Sequence, residues 1–65
     1  MLTEKIGFSA GELYIALIKG ELEVKALKKE TGLKEQETLL GLGWLAREGK
    51  ITFRSEGKEL FVSLL

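Results

Sequence analysis

The chain has 65 residues, of which ten are basic and ten acidic, and it contains no cysteine or histidine. This composition excludes a disulfide and any metal site built on Cys or His ligands, so packing or self-association must stabilise the fold. Zero net charge removes the argument from a strongly basic domain, but a local basic patch remains compatible with nucleic-acid binding. Hydrophobic residues make up 45% of the chain, which predicts some apolar surface outside a monomer core.

The length allows one domain, over residues 1–65. No run of 18 apolar residues occurs, and the amino-terminal segment lacks the basic start and apolar stretch of a signal peptide. We therefore expect a cytoplasmic protein with no membrane partner.

The first predicted helix covers residues 10–19 and is followed by a glycine. Ser9 is expected to be its N-cap and to form a capping box with Glu12, while Phe8 and Leu13 occupy the positions of a hydrophobic staple. Helical spacing places three residues on the core side: Leu13, Ala16 and Leu17.

Residues 21–24, ELEV, alternate between acidic and aliphatic side chains and predict a very short strand. A second helix follows directly and ends at Gly32, and a third runs from about Lys34 to Glu48. Only the stretch TGL joins the two helices. Such a tight connection containing a glycine is the signature of a helix-turn-helix unit.

The third helix predicts a core side made of four residues at helical spacing, Leu39, Leu42, Leu45 and Ala46. Leu40 and Trp44 point roughly the opposite way. Gly41 and Gly43 each cost about 1 kcal/mol relative to alanine inside a helix. We therefore expect their backbone to be closely approached, by the first helix or by a partner subunit.

Residues 50–65 alternate as a hairpin with a predicted turn at residues 56–57. This turn pairs Ile51 with Val62, Phe53 with Leu60 and Arg54 with Glu59, and it places the covered side on Ile51, Phe53, Leu60, Val62 and Leu64. The element order is helix, strand, helix, helix, strand, strand. The predicted fold is therefore α+β, a winged helix-turn-helix in which a three-stranded antiparallel sheet closes a three-helix bundle.

The stretches KIGFSAGELYIAL, VKALKKETGL and GWLAREGKI resemble a family of small bacterial and archaeal winged helix-turn-helix proteins of uncharacterised function. The resemblance covers most of the chain, and it departs at Lys34, where a Ser or Thr cap is expected. It implies a winged-helix fold, DNA binding, self-association in some members and no catalytic residues.

The first functional hypothesis is binding of duplex DNA, with the third helix in the major groove and the hairpin wing on phosphates or the minor groove. Gln36 has the chemistry to read adenine, and Arg47 to meet guanine or a phosphate. The full set of DNA-binding candidates is Lys34, Gln36, Thr38, Arg47, Arg54, Lys58, Lys25, Lys28 and Lys29.

Each of these charges also has a structural explanation. Glu35 and Glu37 oppose phosphate binding, but acidic residues in a first helical turn also complement the helix dipole. The lysines of the second helix are compatible with a plain solvated face. Arg54 is compatible with a cross-strand salt bridge to Glu59.

The second hypothesis is a protein-interaction module, most simply a homodimer, without DNA binding of its own. Seven apolar residues fall off the predicted core sides and include Trp and Tyr, which are favoured at interfaces: Tyr14, Ile15, Ile18, Leu40, Trp44, Phe61 and Leu65. The competing interpretation for Trp44 is packing under the wing or against residues 2–8.

An enzyme is the weakest class. The chain has no His or Cys, no base beside the capping serine in sequence, and no GxxxxGK[ST] phosphate loop. We expect no cofactor, no metal and no small-molecule ligand. The sequence thus favours a DNA-binding, transcription-related winged-helix homodimer, with the dimerisation module as the alternative.

Overall fold

A computed structural model describes residues 2–65, and side chains from residue 4 onward. It contains three helices and a three-stranded antiparallel sheet in the predicted order and thereby confirms the winged-helix arrangement. The elements are α1 (Leu2–Leu17), β1 (Leu22–Glu23), α2 (Val24–Thr31), α3 (Glu35–Arg47), β2 (Ile51–Glu56) and β3 (Glu59–Leu64). In the sheet, β3 lies between β1 and β2.

Helix α1 begins eight residues earlier than predicted, and the predicted start at Ser9 is wrong. Ser9 is a buried residue inside the helix, and Phe8 is exposed, so neither the capping box nor the staple forms. Helical spacing continues toward the amino terminus through half-buried Ile6, which lies on the side of Leu13 and Leu17. The local capping signal was therefore overridden by a longer apolar side that packs on α3.

The helix-turn-helix unit forms as predicted. Gly32 has φ 73°, a left-handed conformation that suits glycine, and its N–H donates to the carbonyl of Lys28 at 3.0 Å. Leu27 is fully buried on the core side of α2. The connection to α3 is therefore a tight turn that fixes the two helices relative to each other.

The predicted core side of α3 is partly wrong. Leu42 and Leu45 are buried, but Leu39 is 57% exposed and Ala46 is exposed as well. Their places are taken by Thr38 and Gly41, so the buried side is rotated toward the preceding residues.

The cause of this rotation is the contact between α1 and Gly41. A Cβ atom on Gly41 would lie 2.6 Å from Leu13 Cδ1 and 3.2 Å from the backbone N of Ala10. The missing side chain thus allows α1 to approach, which confirms the expectation for Gly41. At Gly43 a Cβ would meet nothing within 4 Å, so α1 does not approach that residue, and a close approach by a partner subunit stays a prediction.

The hairpin differs from prediction in its turn. Gly57 has φ 62° and starts the turn, so Phe53 pairs with Val62, Ile51 with Leu64 and Arg54 with Phe61. The three predicted pairs are wrong by two positions. Because the shift is even, each residue stays on its predicted side of the sheet.

The covered side of the sheet is closed only at its base. Ile51 and Val62 are buried and Leu64 is half-buried, whereas Phe53 and Leu60 are exposed toward the tip of the wing. The core is formed by Ala10, Leu13, Leu17, Leu27, Leu42, Leu45, Ile51 and Val62.

Candidate nucleic-acid interface

The outward side of α3 is the surface that a winged-helix domain presents to a DNA groove. It carries Gln36, Leu39, Leu40, Gly43 and Arg47, all of them exposed. Helix α1 packs on the opposite side of α3 at Gly41, and at the start of α3 it borders a groove of about 200 Å³ that Gln36 and Leu40 line. The two ends of the outward side are polar and its middle is apolar.

Thr38 does not belong to this surface, and its selection as a DNA-binding candidate is contradicted by its burial. It is 0% exposed, and its hydroxyl donates to the carbonyl of Lys34 at 2.9 Å. That carbonyl also accepts the Thr38 N–H at 2.9 Å. Thr38 is a core residue whose polar atom is satisfied locally.

The acidic residues at the start of α3 have structural roles. Glu37 Oε1 accepts the backbone N–H of Lys34 at 2.9 Å, which satisfies the chain at the helix start without a Ser or Thr cap. Glu35 Oε1 lies 3.7 Å from Lys28 Nζ in an exposed ion pair. The Glu37 cap is what sequence reasoning missed at Lys34, and its signal is a Glu three residues after the N-cap.

The predicted cations divide into two groups. Lys28 pairs with Glu35, and Arg54 is held by carboxylates described below. The others are exposed and form no ion pair with any side chain that the structure describes: Lys25, Lys29, Lys34, Arg47 and Lys58.

Arg54 on the wing is bound within the molecule. Its Nε and Nη2 atoms donate to the two carboxylate oxygens of Glu21 at 3.1 and 2.8 Å, its Nη1 pairs with Glu56, and the guanidinium lies 4.5 Å from the Phe61 ring centre. The predicted partner, Glu59, is wrong because the register places Phe61 opposite Arg54.

The electrostatics of Arg54 follow from these contacts. Its hydrogen bonds lower the pKa of Glu21, and the carboxylates of Glu21 and Glu56 raise the pKa of Arg54 itself. A bidentate ion pair has fixed geometry. Arg54 therefore ties the wing to the segment before β1 and is not available for a phosphate in this arrangement.

Two carboxylates meet on the same sheet. Burial raises the pKa of Glu23, and a hydrogen bond with Glu59 together with its negative charge raises it further. Glu59 is therefore engaged with Glu23 instead of Arg54, which leaves an acidic spot on the sheet close to the turn of the wing.

The predicted dimer-interface residues fall into one exposed set and one exception. Phe61 is half-buried, with the Arg54 guanidinium over its ring, so less of it is exposed than of the others. The other six are exposed: Tyr14, Ile15, Ile18, Leu40, Trp44 and Leu65. Trp44 is 43% exposed and lines an open groove of about 460 Å³ with Gly7, Gly11 and Tyr14 of α1.

Sequence reasoning also missed an exposed aromatic residue. Phe8 is 66% exposed on α1, because the helix extends past the position where a staple was expected. The signal was present: Phe8, Gly11, Ile15 and Ile18 repeat at helical spacing once the helix is allowed to start near residue 2.

A tight helix-turn-helix followed by a two-stranded wing, with a short strand pairing on the wing, defines the winged-helix class of domains. The chain belongs to the winged helix-turn-helix domain family DUF2582, whose model matches residues 1–64. This confirms the resemblance drawn from the sequence. A relative from Methanocaldococcus jannaschii, the uncharacterised protein MJ1608, is 38% identical over 64 residues, which cover 92% of this chain and 90% of that protein.

Solved structures share the fold. The solution structure of BT2368 from Bacteroides thetaiotaomicron has a TM-score of 0.87 and 26% identity, and the match covers 98% of this chain and 79% of that one. The transcriptional repressor BigR from Xylella fastidiosa has a TM-score of 0.80 at 22% identity, covering 97% and 69%. A possible transcriptional regulatory protein from Mycobacterium bovis, fragment 1–100, has 0.79 at 21%, covering 95% and 72%. At these identities the last two show the fold alone.

No helix among residues 2–65 combines the length and hydrophobicity needed to cross a bilayer.

Proposed function

We propose that the chain is a DNA-binding regulator of transcription that acts as a homodimer. We infer that it works in the cytoplasm, where the DNA of its bacterial and archaeal relatives lies, and that it catalyses no reaction. The observation that carries the proposal is the open outward side of α3 in a complete helix-turn-helix unit. Membership in a winged-helix family supports it, as does a fold shared with a transcriptional repressor. Because one fold serves many functions, the proposal also depends on where the positive charges of the chain lie.

The supporting charges lie on the helix-turn-helix unit and not on the body of the wing. Lys29 and Lys34 flank the turn between α2 and α3, and neither forms an ion pair with the described side chains. Arg47 lies at the other end of the outward side of α3. Phosphate contacts from such lysines position a recognition helix. Gln36 is exposed in the first turn of α3, and its amide has the chemistry to read a base edge.

The test is fluorescence anisotropy of a labelled mixed-sequence duplex at several salt concentrations. We expect a Kd of about 10⁻⁵ M or tighter at low salt, and a logarithmic salt slope of about −0.9 for each phosphate neutralised. Lys29→Gln and Lys34→Gln should each reduce the magnitude of that slope by about one. Lys19→Gln is the matched control, because Lys19 is exposed but lies outside the helix-turn-helix unit.

Two results would overturn the DNA-binding proposal. One is the absence of binding up to about 10⁻⁴ M, which is weaker than ordinary non-specific association. The other is an equal loss in all three variants, because a general attraction of positive charge to DNA would not distinguish Lys19 from the turn.

A second candidate function is a protein-interaction module without intrinsic DNA binding. The observation that favours it is the apolar middle of the outward side of α3, where Leu39, Leu40 and Gly43 are exposed together. Groove-facing positions of recognition helices carry polar side chains for base edges. The same titration separates the two functions, because a protein-only module shows no salt-sensitive affinity for the duplex.

A further inference from the structure

The outward side of α1 is apolar along most of its length, and the described residues leave most of it exposed. Lys50 Nζ lies 5.9 Å from the Tyr14 ring centre, at the edge of the adjoining groove. Phe8 and Ile15 are 66% and 64% exposed, and Ile18 is exposed to a similar extent. We name the α1 surface as this side together with the adjoining groove: Gly7, Phe8, Gly11, Tyr14, Ile15, Ile18 and Trp44.

Two glycines one helical turn apart lie within the α1 surface. A Cβ atom on Gly7 or Gly11 would meet nothing within 4 Å, and each glycine costs about 1 kcal/mol relative to alanine in a helix interior. At Gly41 the missing side chain has a structural use, because α1 occupies the space where a Cβ atom would lie. No described residue of the same copy fills the equivalent space above Gly7 and Gly11.

The total exposed area is larger than a chain of this size requires. The molecule exposes 4697 Å², whereas a folded monomer of 7.2 kDa exposes about 4100 Å². The difference is several hundred Å², similar in scale to the roughly 800 Å² that each partner buries in a standard interface. The molecule as a whole thus exposes more surface than an average monomer of its mass, and Phe8, Ile15 and Ile18 of the α1 surface are among its most exposed apolar side chains.

We propose that a second copy of this chain covers the α1 surface, with the two α1 helices crossing antiparallel near Gly11. Such a two-fold interface must be self-complementary. Phe8 and Ile15 lie three and four residues on either side of Gly11, so a two-fold axis there places Phe8 of one copy against Ile15 of the partner subunit. Zero net charge adds no overall repulsion between identical copies.

The close approach explains the glycines, and the groove explains the exposed Trp44. With Gly7 and Gly11 at the crossing, two helix backbones pack more closely than larger residues allow. Trp44 and Tyr14 then border the crossing as aromatic anchors. The outward side of α3 stays outside the interface, so both copies keep it exposed. The assignment rests on the homodimer part of the proposed function and not on DNA binding.

Sedimentation velocity over a range of protein concentrations tests the interface. We expect the wild type to be a dimer at micromolar concentration and Gly11→Gln to weaken the dimer at least about tenfold, which is about 1.4 kcal/mol. Gln is a better helix former than Gly, so this variant should keep or raise the stability of the folded monomer. Circular dichroism checks that it does.

Gly43→Gln is the matched control, because it is the same change at another exposed mid-helix glycine with open space above it, outside the α1 surface. It should leave the dimer constant unchanged. Ile15→Glu places a charge in the proposed contact and should act like Gly11→Gln.

The possible results distinguish a failure of the proposed α1 interface from a failure of dimerisation itself. A wild type that remains monomeric at 100-fold higher concentration overturns the homodimer and this surface together, and leaves the α1 surface for a different protein. A dimer that Gly43→Gln dissociates and Gly11→Gln does not overturns the α1 surface while the homodimer stands. The duplex titration is scored separately in either case.

Discussion

The two sides of α3 contain similar residue types that have opposite environments. Each side carries a glycine and leucines: Gly41 and Leu42 are buried, whereas Gly43 and Leu39 are exposed. Each side also carries an uncharged polar residue, since Thr38 is buried and Gln36 is exposed. The amino-acid type at these positions does not determine which side packs.

The difference teaches that the approach of α1 decides the orientation of α3. A glycine with backbone 3.2 Å from its missing Cβ marks the contact with α1, and a glycine with open space above it does not. The same residue thus permits packing at one position and leaves a surface open at the other. Paired substitutions on the two sides test this contrast directly.

The largest expected effect is on the leucines. Leu42→Ala should lower the free energy of unfolding by about 2–5 kcal/mol, because it removes a buried side chain and leaves a cavity. Leu39→Ala should change it by no more than about 0.5 kcal/mol, since Leu39 is largely exposed. Urea denaturation of the two variants measures both values. Equal losses would mean that Leu39 is covered in solution, which would contradict the rotated core side of α3.

The order of all six elements could be predicted from the sequence because the signals that start and end them involve residues close together in the chain. Gly32 ends α2 in a left-handed conformation, and the alternation in residues 51–64 marks the two strands of the wing. The errors arose where a distant contact competes with a local signal. Ser9 and Glu12 form a good capping pattern, but packing on α3 continues α1 through them.

The candidate site was less predictable than the fold for the same reason. Helical spacing cannot show that α1 lies on Gly41, so it assigned Thr38 to the surface. The register cannot be read without the turn, so Arg54 was paired with Glu59 when its partner Glu21 lies 33 residues away in sequence. The exposed lysines of α2 needed no long-range information, and their exposure was predicted.

The second comparison uses alanine at the two glycines of α3. Gly41→Ala should lower the free energy of unfolding by about 1 kcal/mol, because strain against the α1 backbone, about 1–3 kcal/mol, outweighs the gain in helix propensity. Gly43→Ala should raise it by up to about 1 kcal/mol, since its Cβ enters open space. Thermal and urea unfolding report both signs. If both variants were stabilised, α1 would not be in close contact with Gly41.

The smallest expected effect is at Thr38, and it distinguishes a core residue from a DNA contact. Thr38→Val removes a buried hydroxyl, but the Lys34 carbonyl keeps the backbone N–H at 2.9 Å. The loss of stability should therefore be about 1 kcal/mol or less. Because Thr38 is fully buried, duplex affinity should stay within about twofold, which corresponds to about 0.4 kcal/mol of binding free energy. Gln36→Val should leave stability unchanged, because Gln36 is exposed, and should weaken any duplex binding more than Thr38→Val does. A larger loss of DNA affinity at Thr38 would show that α3 turns this residue toward the duplex, and the contrast between its two sides would then fail.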